Sequence, residues 1–146
     1  MDAGIEGSLI SKTVSEFVNR ESPLERLNAV SRIIKIREQD FEARVLKSEV
    51  PVLVHIGAPW CPPCRDLTPV LESIAQEYAG RLAVIEVDSD QYPDLASRYG
   101  AGRIPNLLFL WGGRVVRQEV GALPHSSLSR LIDELLQLAS RDAAVR

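Results

Sequence analysis

Apolar residues recur along the chain from residue 33 onward in two alternating styles. Compact aliphatic and β-branched blocks occupy 33–36, 50–56, 82–87, 107–111 and 115–120, and each is read as a strand. The block at 50–56 is almost wholly β-branched or aliphatic, which suits a central strand buried on both faces. Between the blocks, apolar residues return at helical spacing. Residues 40–47 place Phe41, Val45 and Leu46 on one face, and a helix is predicted there. Residues 66–78 carry Leu67, Val70, Leu71, Ile74, Ala75 and Tyr78 at the spacing of an amphipathic helix, with Gly80 as its stop. Pro69 lies within that run and is expected to kink it. A short helix is predicted over 93–99, ended by Gly100. A longer one is predicted over 126–141, striped by Leu128, Leu131, Ile132, Leu135, Leu136 and Ala139. Gly112-Gly113 joins the last two strands as a tight hairpin.

The resulting order is β-α-β-α-β-α-β-β-α. Alternation of strands and helices implies an α/β fold with a mostly parallel sheet covered by helices, and the late hairpin adds an antiparallel edge. Residues 1–32 follow a different pattern. Ile10, Val14, Phe17 and Val18 make a short helical stripe, and Ser22-Pro23-Leu24-Glu25 is a helix-start signature. This stretch is read as an N-terminal extension, either two short helices or a partly ordered tail, preceding a domain at 33–146.

Composition narrows the function. The formal net charge is -3, with 45% hydrophobic and 25% charged residues, values ordinary for a globular protein. This charge gives no basis for a nucleic-acid or anionic-membrane partner. No apolar run reaches the ~18–20 residues of a membrane span. Asp2, Glu6, Glu16, Glu21 and Glu25 are unlike a transit peptide, and no secretory pattern precedes them. A cytoplasmic, monomeric protein is expected.

Only two cysteines occur, as Cys61-x-x-Cys64. A reducing compartment and so short a loop argue against a structural disulfide. His55 and His125 show no zinc-ligand spacing with them, so neither metal nor cofactor is expected. Thiol–disulfide exchange remains. It needs one attacking thiolate and a second thiol to resolve the mixed disulfide. Cys61 falls just before a helix, where unpaired N–H groups and the helix dipole favour an anion. It is expected to be the more acidic and more exposed nucleophile, with Cys64 one turn inside as the buried resolver. Pro62 and Pro63 stiffen the turn and remove two amide donors, leaving the N–H of Cys64 and those beyond it.

Several separated motifs now resemble the thioredoxin family: Trp60-Cys61-Pro62-Pro63-Cys64-Arg65, the helix proline Pro69, Ile104-Pro105, and Val120-Gly121-Ala122-Leu123. The resemblance covers residues from about 33 to 140. It implies the thioredoxin fold, with Cys61 as nucleophile and Cys64 as resolver. It further implies a cis peptide at Pro105 and an Ile104 backbone that pairs with an extended substrate segment. Trp60, Pro62, Pro63, Val120, Gly121 and Ala122 would complete the docking surface. Disulfide-containing proteins are the implied partners, with a thioredoxin reductase as one candidate electron donor. The WCPPC motif is shared with tryparedoxin- and nucleoredoxin-like proteins that use other donors. A redox-inactive adaptor on the same fold is the alternative from a different class.

Departures from the family pattern are informative. His55 stands where the family usually has a buried Asp, and Glu86 where it often has a buried Lys. The two are expected to form an inverted pair, with His55 either accepting the Cys64 proton or serving as a satisfied core histidine. Gly57 replaces a usual aromatic, which is expected to open the site or expose backbone. Arg103 and Asn106 flank Ile104-Pro105 in place of the common small residue and Thr. Arg103 either favours acidic partners or is simply solvated.

Overall fold

The computed structural model describes residues 32–145. The helices expected within 1–32 lie outside the described residues, Arg32 apart. Five strands form one mixed sheet in the order β1-β3-β2-β4-β5. They are β1 Ile33–Lys35, β2 Val52–Gly57, β3 Ala83–Asp88, β4 Asn106–Trp111 and β5 Arg114–Val120. The first three run parallel, while β4 is antiparallel to β2 and β5 to β4. The expected parallel core with an antiparallel hairpin is therefore present. Gly112 and Gly113 both take positive φ, 63° and 80°. Two such residues in a two-residue loop match the right-handed twist of the strands they join.

Among the described residues, three α-helices flank the sheet: α1 Pro62–Glu77, α2 Pro93–Arg98 and α3 His125–Val145. Helix α1 runs continuously through Pro69. That residue sits on the exposed side, so the carbonyl left without a donor by its ring faces solvent. The helix expected at 40–47 is not an α-helix. The segment forms a 3-10 turn, Glu38–Asp40, followed by a π turn, Glu42–Leu46, which closes through Lys47 N–H to the Glu42 carbonyl at 2.9 Å. Its inward residues are those expected: Phe41 and Val45 are buried and Leu46 packs beside them. Hydrophobic spacing located the buried face, but did not distinguish one helical pitch from another.

Every residue of β2 is buried. Because side chains alternate along a strand, the sheet divides its core in two. Leu53, Val84, Leu107 and Phe109 point to the side covered by α1 and α3, meeting Leu67, Leu71, Ile74, Leu128 and Ile132. Val52, Val54, Ile56, Ile85, Leu108 and Leu110 point to the opposite side, against Phe41, Val45 and Leu95. Tyr78 links two helices: its hydroxyl donates to Asp133 Oδ1 at 2.8 Å and lies 2.7 Å from Ser129 Oγ. The same parity decides the site. His55 and Gly57 share the Leu53 side of β2, and Glu86 shares the Val84 side of β3, so all three face α1.

Phe109→Ala removes a fully buried ring from the centre of the α1/α3 side. It is expected to lower unfolding free energy by about 3–5 kcal/mol. Val116→Ala, on exposed β5, is expected to change it by no more than about 0.5 kcal/mol. Urea unfolding of the two variants checks the contrast.

Candidate active site

Cys61 is the N-cap of α1, with extended backbone angles, φ -87° and ψ 110°. Pro62 and Pro63 take the first helical positions, where the missing N–H groups would have lacked a helical partner in any case. The first amide left to donate is that of Cys64, and it donates to Cys61 Sγ at 3.3 Å. The sulfur thus fills the role that a serine or aspartate oxygen plays at an ordinary helix start. The same contact brings the two thiols onto one turn. Both cysteines are free thiols.

The expected difference in exposure between them is not found. Cys61 and Cys64 are equally buried, each 3% accessible. Ala58, from the loop before α1, and Ile104, from the loop before β4, pack around both. The cover over Cys61 thus comes partly from a residue 43 positions away in sequence, which local spacing cannot report. Burial is the largest influence on Cys64, and it pushes the thiol up to about 12. The Cys61 sulfur and the negative charges of Cys61 and Glu86 act in the same direction, opposed by the Ala58 backbone.

Across the site the Ile104–Pro105 peptide is cis, as expected. Pro105 is buried and its carbonyl accepts from Gly121 N–H at 2.8 Å. Val120 is the register partner of Asn106. These contacts bring the Val120-Gly121 end of the hairpin to the proline. Asn106 is buried, and its amide donates to the Arg103 carbonyl at 3.2 Å while its oxygen accepts from Gln118 Nε2 at 2.8 Å. Gln118 also donates to the Tyr99 carbonyl at 2.9 Å. The segment 103–106 is therefore held by side chains from β4 and β5. Gln118 did not stand out in the sequence, because its importance depends on hairpin register. Arg103, Pro62, Pro63 and Ala122 are exposed. Trp60 is 61% exposed and Val120 49%, so both offer apolar surface to solvent. The Trp60 indole N–H donates to the Asp90 carboxylate, a residue from the loop after β3 that sequence patterning also missed.

Beneath the dithiol, His55 is buried, with Nδ1 3.4 Å from Glu86 Oε2. The two residues are register partners on adjacent parallel strands. The contact is at ion-pair distance but lacks hydrogen-bond alignment, and neither imidazole nitrogen has a hydrogen-bond partner among the described residues. Glu86 is only partly buried, its side chain 26% exposed. The imidazole beside it is the main influence holding its carboxyl below the usual range, with Lys35 contributing and burial opposing. Gly57 does not expose backbone, as its substitution for an aromatic suggested. It is buried, and its carbonyl accepts from Ser89 N–H at 2.8 Å.

A cysteine pair capping the helix after a central strand, set against a cis-proline, defines the protein as a thiol–disulfide oxidoreductase of α/β architecture. Comparison with known proteins agrees. The Thioredoxin family model matches residues 32–134. Thioredoxin 1 of Nostoc sp. is 42% identical over 107 residues, covering 73% of this chain and 100% of the relative. Thioredoxin C-2 of Corynebacterium nephridii is 43% identical over 102 residues, 70% of this chain and 94% of the relative. The chloroplastic M-type thioredoxin of Zea mays is 39% identical over 109 residues, 75% of this chain and 65% of the relative. The chain belongs to the thioredoxin family. Among the described residues, no helix is long and apolar enough to cross a membrane.

The raised Cys64 thiol has a consequence for stability. Its value in the fold, about 12, lies above the ordinary 9.0. Between those values the unfolded chain has lost a proton that the fold keeps, so the Cys64 contribution falls as pH rises above about 9 and levels off near 12. Reduced protein is expected to lose stability relative to Cys64→Ser as pH rises from 8 to about 10.5. Urea unfolding of the two forms over that range measures the difference.

Proposed function

We propose that the protein reduces disulfides in protein substrates, with Cys61 attacking and Cys64 resolving. The single observation that carries this assignment is the Cys64 N–H directed at Cys61 Sγ from the first turn of α1. An amide donor stabilises a sulfur anion at Cys61, and the high proton affinity of Cys64 keeps that residue a thiol until it is needed. The substrate segment lies along Ile104-Pro105 as an added strand, with Trp60, Pro62, Pro63, Val120, Gly121 and Ala122 as the surface around it. Trp60 and Val120, both exposed and apolar, suit such a surface.

Attack of the Cys61 thiolate breaks the substrate S–S bond. A mixed disulfide forms and one substrate sulfur leaves as a thiolate. Cys64 then gives up its proton to His55 and attacks Cys61 Sγ. The second substrate sulfur leaves as a thiolate and takes a proton from water. Two electrons have passed to the substrate, and the protein holds a Cys61–Cys64 disulfide. A dithiol donor of the thioredoxin reductase class, acting in a reducing compartment such as the cytoplasm, returns it to the dithiol state. We assign this activity to the domain at 33–146, acting as a monomer.

Insulin disulfide reduction tests the assignment. The dithiol form is expected to turn over with a reductant, Cys61→Ser to lose activity by at least ~10³-fold, and Cys64→Ser to accumulate a mixed disulfide with substrate. Full activity in Cys61→Ser would contradict it, as would failure of Cys64→Ser to trap substrate.

A further inference from the structure

Gly57 poses a physical question. Five described glycines, Gly80, Gly100, Gly112, Gly113 and Gly121, take positive φ, which accounts for them by backbone conformation. Gly57 is not one of them. It ends a buried central strand, where glycine is ordinarily unfavourable. Its reason is space. A Cβ at this position would stand 2.7 Å from His55 Nε2, 2.9 Å from Cys64 Sγ and 3.0 Å from His55 Cε1. The first two are closer than carbon tolerates and the third is at the tight limit, so a single methyl group would displace the imidazole, the thiol or both. Nε2 and Sγ both border the region a side chain at 57 would fill.

The rest of the imidazole's surroundings are equally specific. From β3, Glu86 faces Nδ1 at 3.4 Å. From β1, Lys35 is the register partner of Glu86 and is exposed. From β4, the register partner of His55 is Leu107, which is apolar. From α1, the titratable groups are Cys64 and, through it, Cys61. One nitrogen therefore lies beside a carboxylate, the other borders the same space as the Cys64 thiol, and neither has a hydrogen-bond partner among the described residues. A carboxylate beside Nδ1 favours the tautomer that carries its proton there, which leaves the Nε2 lone pair toward Cys64.

We infer that Gly57 and Glu86 are positioning residues that make His55 the proton acceptor for Cys64: Gly57 by leaving room for Nε2 beside Sγ, Glu86 by fixing the tautomer and stabilising the imidazolium. The inference rests on the proposed roles of Cys61 and Cys64. When Cys64 resolves a mixed disulfide, its S–H proton passes to Nε2 and its electron pair forms the bond to Cys61 Sγ. The substrate sulfur leaves with the electrons of the broken bond. The charge created on His55 is met by Glu86, whose partial exposure gives the proton a route to solvent and whose outer neighbour is Lys35. Glycine at 57 and histidine at 55 thus form one coupled departure from the family pattern, since an aromatic at 57 would occupy the space the imidazole uses.

The test is single-turnover kinetics with a chromophoric aromatic disulfide. Attack by Cys61 releases one aromatic thiolate and leaves the other attached, and attack by Cys64 releases the second. The first release is the internal reference. Wild type is expected to show a second-release rate that depends on pH. His55→Asn removes that dependence and slows the second release relative to the first. Glu86→Gln slows the second release as well, because the imidazolium loses its counter-charge. Gly57→Ala slows the second release by about ten- to a hundredfold. In a His55→Asn background the same substitution costs less than it does in wild type, because its clash with the imidazole is gone and only that with Cys64 Sγ remains. Second-release profiles for His55→Asn and Glu86→Gln that match wild type would overturn the inference while leaving the dithiol assignment intact. Absence of the first release in wild type would instead overturn that assignment. Glu86→Gln, a near-isosteric change at a partly exposed position, keeps the test decisive if Gly57→Ala does not fold.

Discussion

The site depends on one packing constraint: the His55 ring and the Cys64 sulfur both border the space over Gly57, and there is no room for a Cβ there. Three elementary facts bring them together. Side chains alternate along β2, so residues 53, 55 and 57 share a face. Helix α1 lies on that face because its own apolar stripe, Leu67, Leu71 and Ile74, buries against Leu53 and its neighbours. The helix starts at Pro62, so Cys64 enters one turn in, above the end of the strand. None of these is peculiar to redox chemistry. They are the ordinary packing of a helix on a sheet, with a thiol, an imidazole and a glycine placed where the two layers first touch.

The dithiol then inherits its asymmetry from position more than from burial. Both sulfurs are shielded to the same degree. Cys61 caps the helix and receives an amide hydrogen bond. Cys64 donates that bond through its own backbone, and burial, the Cys61 sulfur and the Glu86 charge all favour its protonated form, opposed by the Ala58 backbone. A thiol held so firmly needs a base close by if it is to attack quickly, and the buried imidazole borders the same space over Gly57. Replacing an acid with a histidine at that position means that proton uptake creates a charge instead of removing one. The acceptor goes from neutral to positive, and a carboxylate on the neighbouring strand is the counter-charge that such a change requires.

Much of this was legible in the sequence. The strand blocks, the amphipathic stripes of α1 and α3, the glycine hairpin and the Cys61-x-x-Cys64 spacing each express a local rule, and each is found where the pattern placed it. So is the pairing of His55 with Glu86, which follows from two strands lying side by side. What was hidden depends on groups distant in sequence sharing a volume. The cover over Cys61 includes Ile104. The Trp60 indole is held by Asp90, and the 103–106 segment by Gln118 across a hairpin register. Gly57 is the sharpest case. Its missing side chain suggested an opening, whereas two other side chains had already filled it. The pitch of the 42–46 turn was missed for a different reason: its apolar positions face the core equally well in either helical form.

The most direct measurement of the account's centre is the tautomeric and protonation state of His55, read from imidazole nitrogen chemical shifts of the isotopically labelled, reduced protein across the neutral pH range. The expected neutral form of the ring carries its proton on Nδ1 and leaves Nε2 bare, with an Nε2 shift that changes when Cys64 is replaced by serine. A proton found on Nε2, or a ring whose nitrogen shifts are indifferent to the Cys64 substitution, would contradict it.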